Sequence, residues 1–165
     1  MGSMSSEGIA YAAAVALAAV FAIAAVAKLR DLDATETEFD GLGLPRAHFF
    51  SRFVPLVELA IVSLLLIVPS AGAIAALVTL AFFTTFLIGR LRTGVRAPCA
   101  CFGASRAVPL SPLTIVRNFA LMMLAAATLG TERPVHITPA DGAVVLVAIA
   151  IVGGGLHLAG RVRSR

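Results

Sequence analysis

Apolar residues in this chain come in long uninterrupted runs rather than in alternation. The runs cover residues 9–29, 53–68, 73–88, 112–129 and 142–160. A membrane-crossing helix needs about 20 mainly apolar residues, so each run reads as a span. The absence of period-two alternation sets membrane strands aside. Between the second and third runs lies only Pro69-Ser70-Ala71-Gly72. One helix through both runs would overshoot the bilayer, so these breakers predict a tight helical hairpin. The expectation is an all-α integral membrane protein of four packed helices plus a fifth.

Two connections are long. Residues 30–52 carry Asp31, Asp33, Glu36, Glu38 and Asp40, then Gly41-Leu42-Gly43-Leu44-Pro45, where Gly can end one helix and Pro open another. Residues 89–111 carry four arginines, two prolines and both cysteines. Met1-Gly2-Ser3-Met4 reads as an expression scar before a native Met4, which leaves 5–165 as one membrane domain without internal repeats. The first run is not a signal peptide, because Ser5-Ser6-Glu7 precedes it and Lys28 and Arg30 follow it.

Composition agrees. Of 165 residues, 59% are hydrophobic and 13% charged, about half the charge of an ordinary soluble domain. A water-soluble fold of this length could not hide so much apolar surface, and disorder is excluded on the same ground. The net charge of +4 does not point to nucleic acid, because the basic residues flank apolar runs instead of forming one patch. Basic residues that are nearly all Arg, in an Ala-rich chain, suggest a GC-rich bacterial genome.

Lys/Arg bias sets orientation. With five spans, one face holds Lys28, Arg30, Arg46, Arg52, Arg90, Arg92, Arg96, Arg106, Arg161, Arg163 and Arg165; the other holds only Arg133, and Arg117 falls inside the fourth span. The bias predicts a multi-pass protein of the bacterial inner membrane. Its N-terminus is outside, and its C-terminus and cysteine loop are at the cytoplasmic face.

The two cysteines sit in Arg96-Ala97-Pro98-Cys99-Ala100-Cys101-Phe102-Gly103. A disulfide between Cys99 and Cys101 closes a small ring that meets ideal bridge geometry only with strain. Strained bridges are the exchangeable ones, and Arg96 and Arg106 would favour a thiolate. The pair therefore reads as a redox dithiol. Two other readings of the pair stay open, inert thiols and a thiolate pair for Cu(I) or Zn(II) completed by a partner chain, and with them two other functions: a soft-metal-binding or transporter subunit, and a non-catalytic structural subunit of a membrane complex.

Charges inside spans are expensive and usually functional. Glu58 and Arg117 reach similar depth from one face, Glu58 roughly 9 Å into its helix at 1.5 Å per residue. The expectation is an ion pair or polar cluster of Glu58 and Arg117, with Asn118 nearby, that clamps helices or supports the cysteine loop. Lys28, at the same end of the first run, is expected to snorkel to the interface. His48 reads as lipid-surface packing, and Thr84 and Thr85 as bonding back to helix carbonyls.

The stretch Arg96 to Gly103, followed by Pro109 and Arg117-Asn118 at the start of an apolar helix, resembles the MauE methylamine-utilisation family. Lys28-Leu29 and Pro55-Leu56-Val57-Glu58-Leu59 are similar to patterns in the wider DoxX-like group of small membrane proteins. The resemblance covers roughly residues 9–130. It implies a DoxX-like four-helix bundle and a role in forming or handling disulfides of extracytoplasmic proteins, notably the disulfide-rich small subunit of methylamine dehydrogenase. Cys99 and Cys101 would then exchange electrons with a thioredoxin-like or disulfide-containing partner, with Glu58, Arg117, Asn118, Arg96 and Lys28 in support. That role favours cysteines outside, whereas the charge bias puts them inside. Electron transfer to a membrane quinone, or from a cytoplasmic thioredoxin outward, would reconcile the two.

Overall fold

The structure, a computed structural model, describes residues 6–94 and 112–129. The expected fifth span at 142–160, and the loop with Arg96, Cys99 and Cys101, lie outside the described residues.

Five helices and no strand occur among the described residues: α1 (Ser6–Arg30), α2 (Leu32–Gly41), α3 (Ala47–Ile67), α4 (Pro69–Arg92) and α5 (Pro112–Thr128). Three of them, α1, α3 and α4, are long and apolar enough to cross a membrane; α5, with 17 residues, is shorter. The chain is a membrane-embedded helical protein.

The first junction is one residue long. α1 is built largely of Ala, the strongest helix former. It stops at Arg30, and Asp31 caps α2 by accepting from the Ala34 amide at 3.0 Å. The Thr35 hydroxyl lies 2.9 Å from the Asp31 carbonyl and 3.4 Å from that of Lys28, which ties α2 to the end of α1. α2 stands inside the connection at 30–52 and was not among the expected spans. Its Phe39, with Leu42 just beyond, is buried in the main apolar core. Gly43 then takes φ +71°, the left-handed region glycine enters without penalty. Its carbonyl accepts from the Arg90 guanidinium of α4, which also stands over the Phe86 ring.

The expected hairpin is present but tighter. Only Val68 separates α3 from α4, and Pro69 occupies the first turn of α4, where its missing N–H costs nothing. Residues 70–72 are helical instead of forming the turn. The close approach needs Gly72: a Cβ there would lie inside contact distance of the Leu65 backbone.

α1, α3, α4 and α5 pack in a ring, α1 on α3, α3 on α4, α4 on α5 and α5 on α1, with α2 lying on α3 and α1. The core between them contains Leu17, Phe21 and Ala24 of α1, Ile61 and Leu65 of α3, Ala76, Leu80 and Leu87 of α4, and Leu121 and Ala125 of α5. Small residues on α1 let neighbouring helices come close. The outer faces are also apolar: Ile74, Val78 and Phe82 recur at four-residue spacing on α4 and are exposed, as are Val116 and Met123 on α5. In water this would be an aggregation liability; in a bilayer it is the lipid face.

Candidate functional site

The buried polar side chains of the ring helices include Lys28 from α1, Glu58 from α3, Thr84 from α4 and Asn118 from α5; α3 also buries Ser51 and α5 Thr128. Lys28 belongs to the last turn of α1. Glu58 follows Ala47 by about three turns of α3. The helix starts at Ala47, earlier than the apolar run at Phe53 suggested, and it carries Pro55 in its interior. Pro55 supplies no N–H, so the Ser51 carbonyl four residues back loses its helical donor.

The Lys28 ammonium donates to Glu58 Oε1 at 2.7 Å, with side-chain exposures of 3% and 8%. This corrects two expectations at once. Glu58 pairs with Lys28 and not with Arg117. Lys28 does not snorkel; its second acceptor is the Ala24 carbonyl one turn back, at 3.5 Å. Arg117 stands within electrostatic range of Lys28 but does not line the cavity beside the pair.

Asn118 is the chain's one carboxamide. Its Nδ2 donates to Thr84 Oγ1 at 3.1 Å, and the Thr84 hydroxyl donates to the Leu80 carbonyl at 2.6 Å. The expected back-bonding of Thr84 and Thr85 to their own helix is present, Thr85 reaching the Ala81 carbonyl at 2.8 Å. Thr84 as the partner of Asn118 was missed. A lone carboxamide in an apolar helix signals an interior partner, because an unpaired amide there is costly; that signal could have found it.

Between the pairs lies a cavity of about 30 Å³. Lys28, Glu58 and Asn118 line it, with Phe21, Thr79, Leu80 and Phe83 forming the apolar wall. Glu58 Oε2 and Asn118 Oδ1 are buried without a hydrogen-bond partner among the described residues.

A family model described as methylamine utilisation protein MauE matches residues 6–131. The chain belongs to the MauE family. The match spans α1 through α5 and includes Lys28, Glu58, Arg96, Cys99, Cys101, Arg117 and Asn118, while the apolar run at 142–160 lies beyond it. No curated protein and no solved structure matched the chain.

In this MauE-family chain a second polar cluster stands at the surface. His48 Nδ1 lies 2.8 Å from Glu36 Oε2, and Arg52 Nη1 is 2.9 Å from the His48 ring nitrogens and 4.0 Å from Glu36. His48 therefore bridges α2 and α3 in a polar cluster, where lipid packing was expected. Among the described residues no three His, Cys, Asp or Glu side chains are placed to hold a metal ion.

Proposed function

We propose that this protein is a membrane thiol–disulfide redox protein in which Cys99 and Cys101 are the exchanging pair. The observation that carries the reading is the family match, which runs across the chain's only two cysteines, set one residue apart. The family's printed description adds methylamine utilisation as the setting. The helix ring is read as a DoxX-like bundle in the bacterial inner membrane. The basic ends and the dithiol face the cytoplasm, in keeping with the Lys/Arg bias.

In the exchange, the thiolate of one cysteine attacks a sulfur of the partner's disulfide, forming a mixed disulfide and releasing the partner's other sulfur as a thiolate. The second cysteine then attacks the mixed disulfide. A Cys99–Cys101 bond forms, and the partner leaves with two electrons. Run in reverse, the same steps oxidise a partner dithiol. A thioredoxin-like protein or a membrane quinone would reset the pair. Asn118, bonded to Thr84, acts as a positioning residue that holds α5 to α4, the helices on either side of the dithiol segment, and Lys28 and Glu58 hold α1 to α3, with Arg117 and Arg96 supplying positive charge.

The test is a redox titration of the full-length protein in lipid nanodiscs, with thiols trapped by a mass-tagged alkylating reagent. Both thiols should disappear together as a two-electron couple without bound metal, at a potential above the −300 mV typical of inert structural bridges. Thiols that stay reduced under strong oxidant, or that bind a metal ion stoichiometrically, overturn the reading.

A further inference from the structure

An open groove of about 520 Å³ runs along the outer face of α4, lined by Phe82, Thr85, Phe86, Gly89, Arg90 and Thr93. Their three- and four-residue spacing is that of one side of a helix. The end at Phe82 is apolar and faces outward, Phe82 being 69% exposed. The end at Arg90 is cationic, and no carboxylate lines the groove. Gly89 keeps the groove open beside Arg90, since a Cβ there would meet nothing within 4 Å.

The two ends fall at different depths. α4 has 24 residues, about 36 Å at roughly 1.5 Å per residue, against a hydrocarbon core of about 30 Å. No charged side chain occurs between Glu58 and Arg90. With Pro69 at one boundary of the hydrocarbon, Arg90 and Arg92 stand at the other, and Phe82, about two turns back, lies among acyl chains. Arg90 is also held in place. Its Nη2 donates to the Gly43 carbonyl, and its guanidinium carbon stands 5.2 Å from the Phe86 ring centroid. A guanidinium has five N–H donors in a planar fork that suits a phosphate. A mobile arginine would lose rotamer freedom on binding; this one has lost much of it beforehand.

We propose that the groove binds an anionic phospholipid, its phosphate on the Arg90 guanidinium and one acyl chain along Phe86 and Phe82. Charge selects this occupant. The one charge in the lining is positive and meets a net anion, whereas a quinone ring brings no charge and a zwitterionic lipid brings its own cation beside the phosphate. Such binding is independent of the dithiol chemistry.

Native mass spectrometry of the full-length protein, released from detergent micelles that contain graded phosphatidylglycerol or phosphatidylcholine, tests it. The wild type should hold phosphatidylglycerol more tightly than phosphatidylcholine, by about fivefold or more. Arg90→Gln should cut the phosphatidylglycerol affinity about tenfold, the loss of a charge-assisted hydrogen bond. Arg92→Gln, two residues on and outside the lining, should change it little. Gly89→Leu keeps both arginines and projects a side chain into open space; it should fold and cut the affinity as strongly as Arg90→Gln. Equal losses in Arg90→Gln and Arg92→Gln would reduce the effect to general attraction by basic residues and overturn the proposal. Affinity unchanged in Gly89→Leu overturns it too. Displacement of the lipid by millimolar inorganic phosphate would make this a plain anion site and overturn the lipid assignment. No preference for phosphatidylglycerol in the wild type overturns it without any variant, and leaves the face to another part of the chain or a second copy.

Discussion

Two carboxylate contacts among the described residues have nearly the same length and opposite surroundings. Lys28 and Glu58 meet at 2.7 Å with side chains 3% and 8% exposed, while His48 and Glu36 meet at 2.8 Å with side chains 68% and 36% exposed. Distance alone would rank them equal. Solvent does not: water screens the outer pair and offers each partner an alternative, whereas the inner pair is shielded from it. The inner contact is one whose members are each indispensable to the other. The outer one is a local trim of the α2–α3 junction.

Mutation of the inner pair should give the largest effect. Lys28→Met or Glu58→Leu alone leaves a buried charge uncompensated and should lower stability by about 3–5 kcal/mol, while the double variant should cost less than the sum. Unfolding of the four proteins in one detergent reads the coupling; additive costs would erase the contrast with the surface. Gly72→Ala provides a control that touches no charge. Its new Cβ meets the Leu65 backbone, and such overpacking costs about 1–3 kcal/mol, with no dependence on salt. Thr84→Val should be milder, about 1 kcal/mol, the range of interhelical hydrogen bonds in membranes; a double cycle with Asn118→Leu measures it. Glu36→Gln should change stability least, by under about 1 kcal/mol, and the difference should vanish at high salt. A salt-insensitive loss at Glu36 comparable to that at Glu58 would show that burial does not separate the two contacts.

The helices that cross the apolar slab were legible because nothing but membrane explains such runs. Glu58 was legible as an interior charge for the same reason. Its partner was not, and the cause is local. Depth was measured from Arg52, although an amphipathic lead-in from Pro45 was open, and α3 winds from Ala47 through His48-Phe49-Phe50-Ser51-Arg52 before it reaches the apolar run. α2 was hidden too: ten residues, mostly polar, give little helical periodicity. Its cap was in plain view, since Asp31 followed by Ala34 and closed by Gly41 is a start and a stop. Recognising that helix would have placed packed chain beside Lys28 and removed the reason to expect it at the interface. The MauE resemblance, by contrast, was readable from one short stretch, Arg96 to Asn118, and the match to residues 6–131 bears it out.

The one-residue turn at Val68 also bears on how the chain enters the membrane. Between Glu58 and Arg90 the sequence carries no charged side chain. α3 and α4 can therefore cross as a preformed hairpin whose tip, Val68 to Gly72, drags no charge through the hydrocarbon. Glu58 lies at the middle of α3, and Lys28 in the last turn of α1. The spans are thus placed by apolarity, and Lys28 and Glu58 meet within the bundle that the spans form.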